Sequence, residues 1–263
     1  MADGDPVVIQ SKVEFFKPQK VVSAGVGALS DWEIQTGGNP SLSRQRSQAL
    51  KENGDELNAV QYGAKVSYSE SFTAKTIATT QQKTSLDVPA AGAVMSGAHV
   101  DSVDVSYSQT AAPSMSVASH KHAAVDGTPS SHDVCRVYTP TVVFPIRAIG
   151  VPTTLKDTSN NTIFSTPSGI GIKSIKYGLK VTHVDENDNE GGHLAGQNRD
   201  GVETLTLEFT GKVVTSELAI HNSWMLPESD GDSMGNTQST TKSITISKHI
   251  PYDTVNTPQG GEK

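Results

Sequence analysis

The chain has 263 residues, a formal net charge of −7 and a single cysteine, Cys135. That length can bury a sizeable core without covalent staples, and one cysteine excludes an intramolecular disulfide framework and a cysteine-built zinc site. The acidic balance argues against a surface that grips nucleic-acid phosphates, and no apolar run is long enough to offer a membrane span.

The opening, MADGDPVVIQ, lacks a basic n-region and an apolar h-region. A soluble protein made in the cytoplasm is therefore expected. Charged residues make up only 19% of the chain, while Ser and Thr together supply roughly a fifth. Hydroxyls, more than charges, keep such a surface polar, and Thr favours strands while Ser and Gly favour turns.

Strand signals dominate in chain order. Lys12–Lys17 and Asp31–Gln35 are short candidates. Val60–Ser69 places Val60, Tyr62, Ala64, Val66 and Tyr68 on one face. Thr84–Val88 follows, then Val100–Ser108, where Val103, Val105 and Tyr107 alternate with Asp104, Ser106 and Ser108. Val134–Phe144 is apolar but interrupted by Pro140, which predicts two strands or a bent edge. Ile172–Val184 is the clearest long strand, with Ile175, Tyr177, Leu179 and Val181 in phase. Val202–Val213 alternates Leu205, Leu207 and Phe209 against threonines and Glu208, and Ser243–Lys248 repeats the theme with Ile244 and Ile246. A period of two means sheets with one buried and one polar face.

One segment reads as a helix, near 41–53. Asn39-Pro40-Ser41 supplies a start, Leu42, Ala49 and Leu50 a weak apolar face, and Asn53-Gly54 a stop. Residues 119–133, 185–202 and 223–241 read as long loops. Tyr62-Gly63-Ala64-Lys65-Val66 and Tyr177-Gly178-Leu179-Lys180-Val181 share the pattern YGxKV followed by a hydroxyl residue. As a duplication, this divides the chain into β-rich halves, 1–145 and 146–263; as chance similarity of two strands, it leaves one domain. The expected fold is all-β and mainly antiparallel, a sandwich or barrel with one short helix and long loops.

The chain carries no nucleophile elbow, P-loop, HExxH or dinucleotide fingerprint, so an enzyme is not expected and no residue is assigned to catalysis, to a cofactor or to a metal. Two segments stand as candidate ion sites. His120 and His122, with His132 and Asp133 downstream, would share a face on a strand and could meet one ion; the alternative is a His-rich exposed loop. Asp185, Asn187 and Asn189 alternate as in a calcium loop, but Glu190 stands where the turn glycine belongs and Gly196 where the closing glutamate belongs. An acidic hairpin loop is the preferred reading there. Cys135 lies in an apolar run and reads as a small packed residue, and Trp32 and Trp224 as core or interface anchors.

The strands YGAKVSYSE, IKSIKYGLKV and TLTLEFTGKV, separated by polar stretches, resemble structural proteins of tailed bacteriophages, in style most of all the tail tube proteins. The resemblance runs over roughly residues 60 to 250 and rests on strand style and hydroxyl-rich composition. It implies a β sandwich with a long hairpin and one helix, located in the virion after synthesis in the host cytoplasm. It also implies assembly into stacked homo-oligomeric rings around a channel, in contact with other virion proteins, with DNA passing without sticking and no membrane partner. The usual ring is a hexamer, and a duplicated chain would instead form a trimer. A capsid decoration, neck or tail-completion protein, or a soluble carbohydrate- or calcium-binding β module, are the alternative readings.

Overall fold

The computed structural model describes residues 31–36, 41–75, 85–86, 88–91, 99–122, 133–134, 136–166, 171–187, 193–210, 219–225, 231–235 and 238–250. Over these residues the chain is almost wholly antiparallel β structure, as its alternation predicts. A large curled sheet carries β1 (Trp32–Thr36), β3 (Glu56–Ala74), β5 (Ser114–His122), β4 (His99–Ser108), β10 (Gly171–Asn187), β11 (His193–Thr210), β14 (Gln238–His249) and β13 (Gly231–Gly235), in that spatial order. Strand β2 (Ser41–Leu50) pairs with β3, and β6 (Asp133–Val134) runs parallel to β11. A second sheet orders β12 (Ala219–Ile220), β9 (Thr162–Ser165), β8 (Thr154–Asp157) and β7 (Val142–Val143).

The core lies between the two sheets. Val103, Val105 and Tyr107 of β4, Ile175, Tyr177 and Leu179 of β10, and Leu205, Leu207 and Phe209 of β11 are buried as their phase requires. The small sheet adds Val142, Leu155, Ile163 and Phe164 to the same cluster, and Trp32 and Trp224 join it. The Phe144 ring meets Tyr177 edge-on, with centroids 4.9 Å apart, a favoured aromatic arrangement. The Tyr177 hydroxyl donates to Glu203 Oε1 at 2.8 Å, and the Thr141 amide donates to the same oxygen at 2.6 Å.

Segment 41–53 is not helical. Residues 41–50 are strand, hydrogen-bonded to β3 from Ser41↔Ser67 to Leu50↔Glu56. The Asn53-Gly54 signal marks a hairpin turn, with Gly54 at φ +86° and its amide donating to the Lys51 carbonyl. Three apolar residues in ten make too weak a stripe to hold a helix on a core, whereas the adjoining β3 edge satisfies every second backbone group.

The expected loops are also largely strand. Residues 185–187 and 193–202 continue the β10–β11 ladder as far as Asn187↔His193, which shortens the connection to 188–192. Residues 119–122 complete β5, and 231–235 pair with β14. The stretch 134–144 divides into β6, a bridge from Tyr138 to Ala91, and β7. Of the expected strand Thr84–Val88, Ser85 bridges to Pro145. The YGxKV copies differ in conformation: Gly63 has φ +60° beside a register shift on β2, while Tyr177-Gly178 lies in regular ladder between β4 and β11. Residues 12–17, His132, Cys135 and Asn189 lie outside the described residues.

Candidate metal centre

One end of the large sheet gathers five of the eight histidines. They come from four adjacent strands: His99 from β4, His120 and His122 from β5, His183 from β10 and His193 from β11. On β5 the two-residue spacing places His120 and His122 on one face, out of phase with Met115 and Val117. Pairing of His99 with His120 aligns β4 with them, and β10 and β11 bring in the rest by extending past the end of the β4 ladder at Lys180↔Ser102.

The rings pack against one another. His99 lies 4.2 Å from His183 and 5.2 Å from His120, centroid to centroid, and His122 stacks nearly parallel on His193 at 3.9 Å. His99, His120 and His122 are 0%, 1% and 3% exposed, which puts three imidazoles essentially out of water.

Two carboxylates complete the group. A register shift between Val100 and Ser102 leaves Asp101 out of step with β5, and its Oδ1 lies 2.5 Å from His120 Nδ1. Asp185 Oδ1 lies 2.6 Å from His183 Nε2 and 2.9 Å from His122 Nε2. Ring nitrogens of His99, His122 and His183 lie within 4.8 Å of one another, as do the donor atoms of His122, Asp185 and His193. His122 belongs to both sets.

Burial lowers the basicity of His120, and the Asp101 carboxylate only partly opposes it. Burial likewise pushes His183 down to about 4, against the hydrogen bond to Asn198. Both rings are therefore neutral at physiological pH, the form that offers a lone pair. Burial pulls Asp185 up, but His122 and His183 outweigh this and hold its carboxyl below the ordinary range.

Of the sequence candidates, the structure brings His120, His122 and Asp185 into one cluster. Asp185 and Asn187 are ladder residues paired with Gly196 and His193, and Asn189 lies outside the described residues. The Asp133 backbone pairs with Gly196. His99, His183, His193 and Asp101 were not legible as site residues, because no ligand motif in the sequence joins them to His120 and His122; only the register across four strands unites them. No protein-family model matches the chain, and no curated protein matches its sequence.

Proposed function

We propose that this chain is a virion structural protein, a tail-tube subunit that closes into rings with copies of itself and stacks around a channel for genome passage. The observation that carries the reading is the polar face of the large sheet. Residues out of phase with the core are predominantly hydroxyls on successive strands: Ser71 beside Ser116, Ser106 beside Ser114, and Thr206 beside Thr245. The last two pairs hydrogen-bond to each other, at 2.7 and 3.0 Å. A curled wall of this kind stays wet and polar, and its lysines, Lys176 and Lys180 of β10 among them, are interspersed with hydroxyls and with the carboxylates of Asp104 and Glu208, which weakens its hold on DNA phosphates.

The β2–β3 hairpin supports the assembly part of the reading. Among the described residues, positions 56–64 pair only with β2, because β5 ends opposite Lys65. Residues 45–58 are exposed, with Leu50 at 55% and Leu57 at 64%. A two-stranded ribbon without a core is marginal in water, and an unpaired edge invites another chain. A neighbouring subunit would cover both.

Negative-stain electron microscopy paired with solution mass tests the proposal. Rings or tubes with a central channel are expected, and the mass separates six chains per ring from three. A compact monomer that docks only onto preformed capsids would overturn the tube reading in favour of a decoration protein.

A further inference from the structure

We propose that the histidine cluster at the end of the large sheet is a binding site for a divalent first-row transition-metal ion, with His99, His122 and His183 as nitrogen ligands and Asp185 as the oxygen ligand. The proposal is independent of ring assembly, since every ligand comes from one chain.

The argument begins with where the protons are. The Asn198 side-chain amide donates to the Arg136 carbonyl at 3.3 Å, which orients its oxygen toward His183 Nδ1 at 2.9 Å. His183 Nδ1 therefore carries the hydrogen, and Nε2 carries a lone pair. That lone pair faces Asp185 Oδ1 at 2.6 Å. At this distance the pair needs a positive charge with it, either a proton on Nε2 or a metal ion bound by both atoms. His120 repeats the pattern: Asp101 takes its Nδ1 hydrogen, and Nε2 is buried with no hydrogen-bond partner among the described residues.

A ring nitrogen held by a carboxylate or amide on one side, with its other nitrogen turned into a ligand cluster, is the usual support of a metal-binding histidine. Here Asn198 positions His183, and Asp101 positions His120 beside the ligand set. His193, stacked on His122, limits how far that ring can turn.

The donor chemistry selects the ion. Imidazole with one carboxylate suits Zn²⁺, Co²⁺ or Ni²⁺, whereas Ca²⁺ and Mg²⁺ prefer oxygen alone. In a tetrahedral zinc site the ligand atoms sit about 3.3 Å apart, from metal–nitrogen bonds of about 2.0 Å. The three nitrogens lie within 4.8 Å of one another, so binding would draw them together by at most about 1.5 Å. The ion would pin together β4, β5 and β10.

The test uses the full chain stripped with chelator and titrated with ZnCl₂, CoCl₂ or NiCl₂, with CaCl₂ and MgCl₂ as controls. Calorimetry should give one transition-metal ion per chain, and Tm should rise by about 5–10 °C at a hundredfold excess over Kd. Bound Co²⁺ should show the visible absorption of a low-coordinate nitrogen and oxygen site. His122→Ala and His183→Ala should each weaken binding by about 100-fold or more, and Asp101→Asn by about tenfold. His249→Ala, at an exposed histidine outside the cluster, should leave it unchanged. Absence of stoichiometric binding, or binding that survives in both His122→Ala and His183→Ala, overturns the proposal. Should those variants fail to fold, the wild-type NMR spectrum decides: zinc must shift the imidazole resonances of the buried histidines, and spectra that do not move refute the site.

Discussion

Glu203 occupies a core-facing position on β11 and is 0% exposed, yet its carboxylate is satisfied by the Thr141 amide, the Thr141 hydroxyl and the Tyr177 hydroxyl. Glu203→Leu keeps the volume but strands buried donors, so it should destabilise the fold by about 3 kcal/mol in urea titration. Two positions away, Gly201 lies against the Tyr138 ring, and a Cβ there would come within 2.3 Å of it. Gly201→Ala should cost about 2 kcal/mol through displacement of that ring, visible as a lower denaturation midpoint. Glu70 is buried beside Tyr68 on the core face of β3, and burial raises its carboxyl above the ordinary value of 4.5, with the nearby Tyr68 hydroxyl opposing. The folded state thus holds this proton more tightly than the unfolded chain. The Glu70 contribution is complete below pH 4.5 and is lost as pH rises through the folded value. Glu70→Gln mimics the protonated form. Its stability should match the wild type near about pH 4 and exceed it increasingly toward neutrality.

At the scale of elements, the strands divide by how their faces are used. Those with one buried face, β4, β10, β11 and β14, announce themselves by alternation. The β2–β3 ribbon buries only a small cluster, Ala64 and Val66 with Leu42 against them, and is otherwise held by backbone pairing, the 51–55 turn and the Arg46–Glu56 ion pair. Its exposed Leu50 and Leu57 contribute nothing to the core cluster. The double substitution Leu50→Glu and Leu57→Glu should therefore leave Tm within about 2 °C of wild type, because exposed positions away from packing have small effects. If the arm seats on a neighbouring subunit, the same change should abolish ring formation in the electron microscope. Loss of rings together with a large fall in Tm would show instead that the arm serves its own fold.

For the whole molecule, the decisive feature is how strands from the two halves interleave. Ser102–Ser108 of β4 pair with Ser174–Lys180 of β10 in the middle of the large sheet. Thr141 bonds Glu203, and Val142 and Val143 of β7 pair with Asp157 and Lys156 of β8. Val142 and Phe144 pack in one core with Ile175 and Leu207. Cutting the chain at 145 would expose both sheet edges and half of that core. Fragments 1–145 and 146–263, expressed separately, should each fail to give a cooperative thermal transition, while the intact chain should give one. Independent cooperative unfolding of either fragment would show that the halves are domains.

Alternation alone determined the all-β class and the phase of five core strands, because burial on one face writes a period of two directly into residue type. Ala64, Val66 and Tyr68, Val103 to Tyr107, Ile175 to Val181, Leu205 to Phe209, and Ile244 with Ile246 are buried as that phase requires. The same signal missed β5, whose small and polar residues alternate only weakly, and it misread β2, whose strand state comes from pairing with β3 and not from its own faces. It also read the far end of the β10–β11 hairpin as loop, since strands that extend beyond a core have no apolar face to display. The histidine cluster belongs to this second kind of information. His99, His120, His122, His183 and His193 are spread over 95 positions of sequence, and apart from the two-residue step from His120 to His122 no spacing rule links them. The tertiary structure decided their meeting, because the register of four adjacent strands, set by core packing further along each ladder, carries their polar ends to one place.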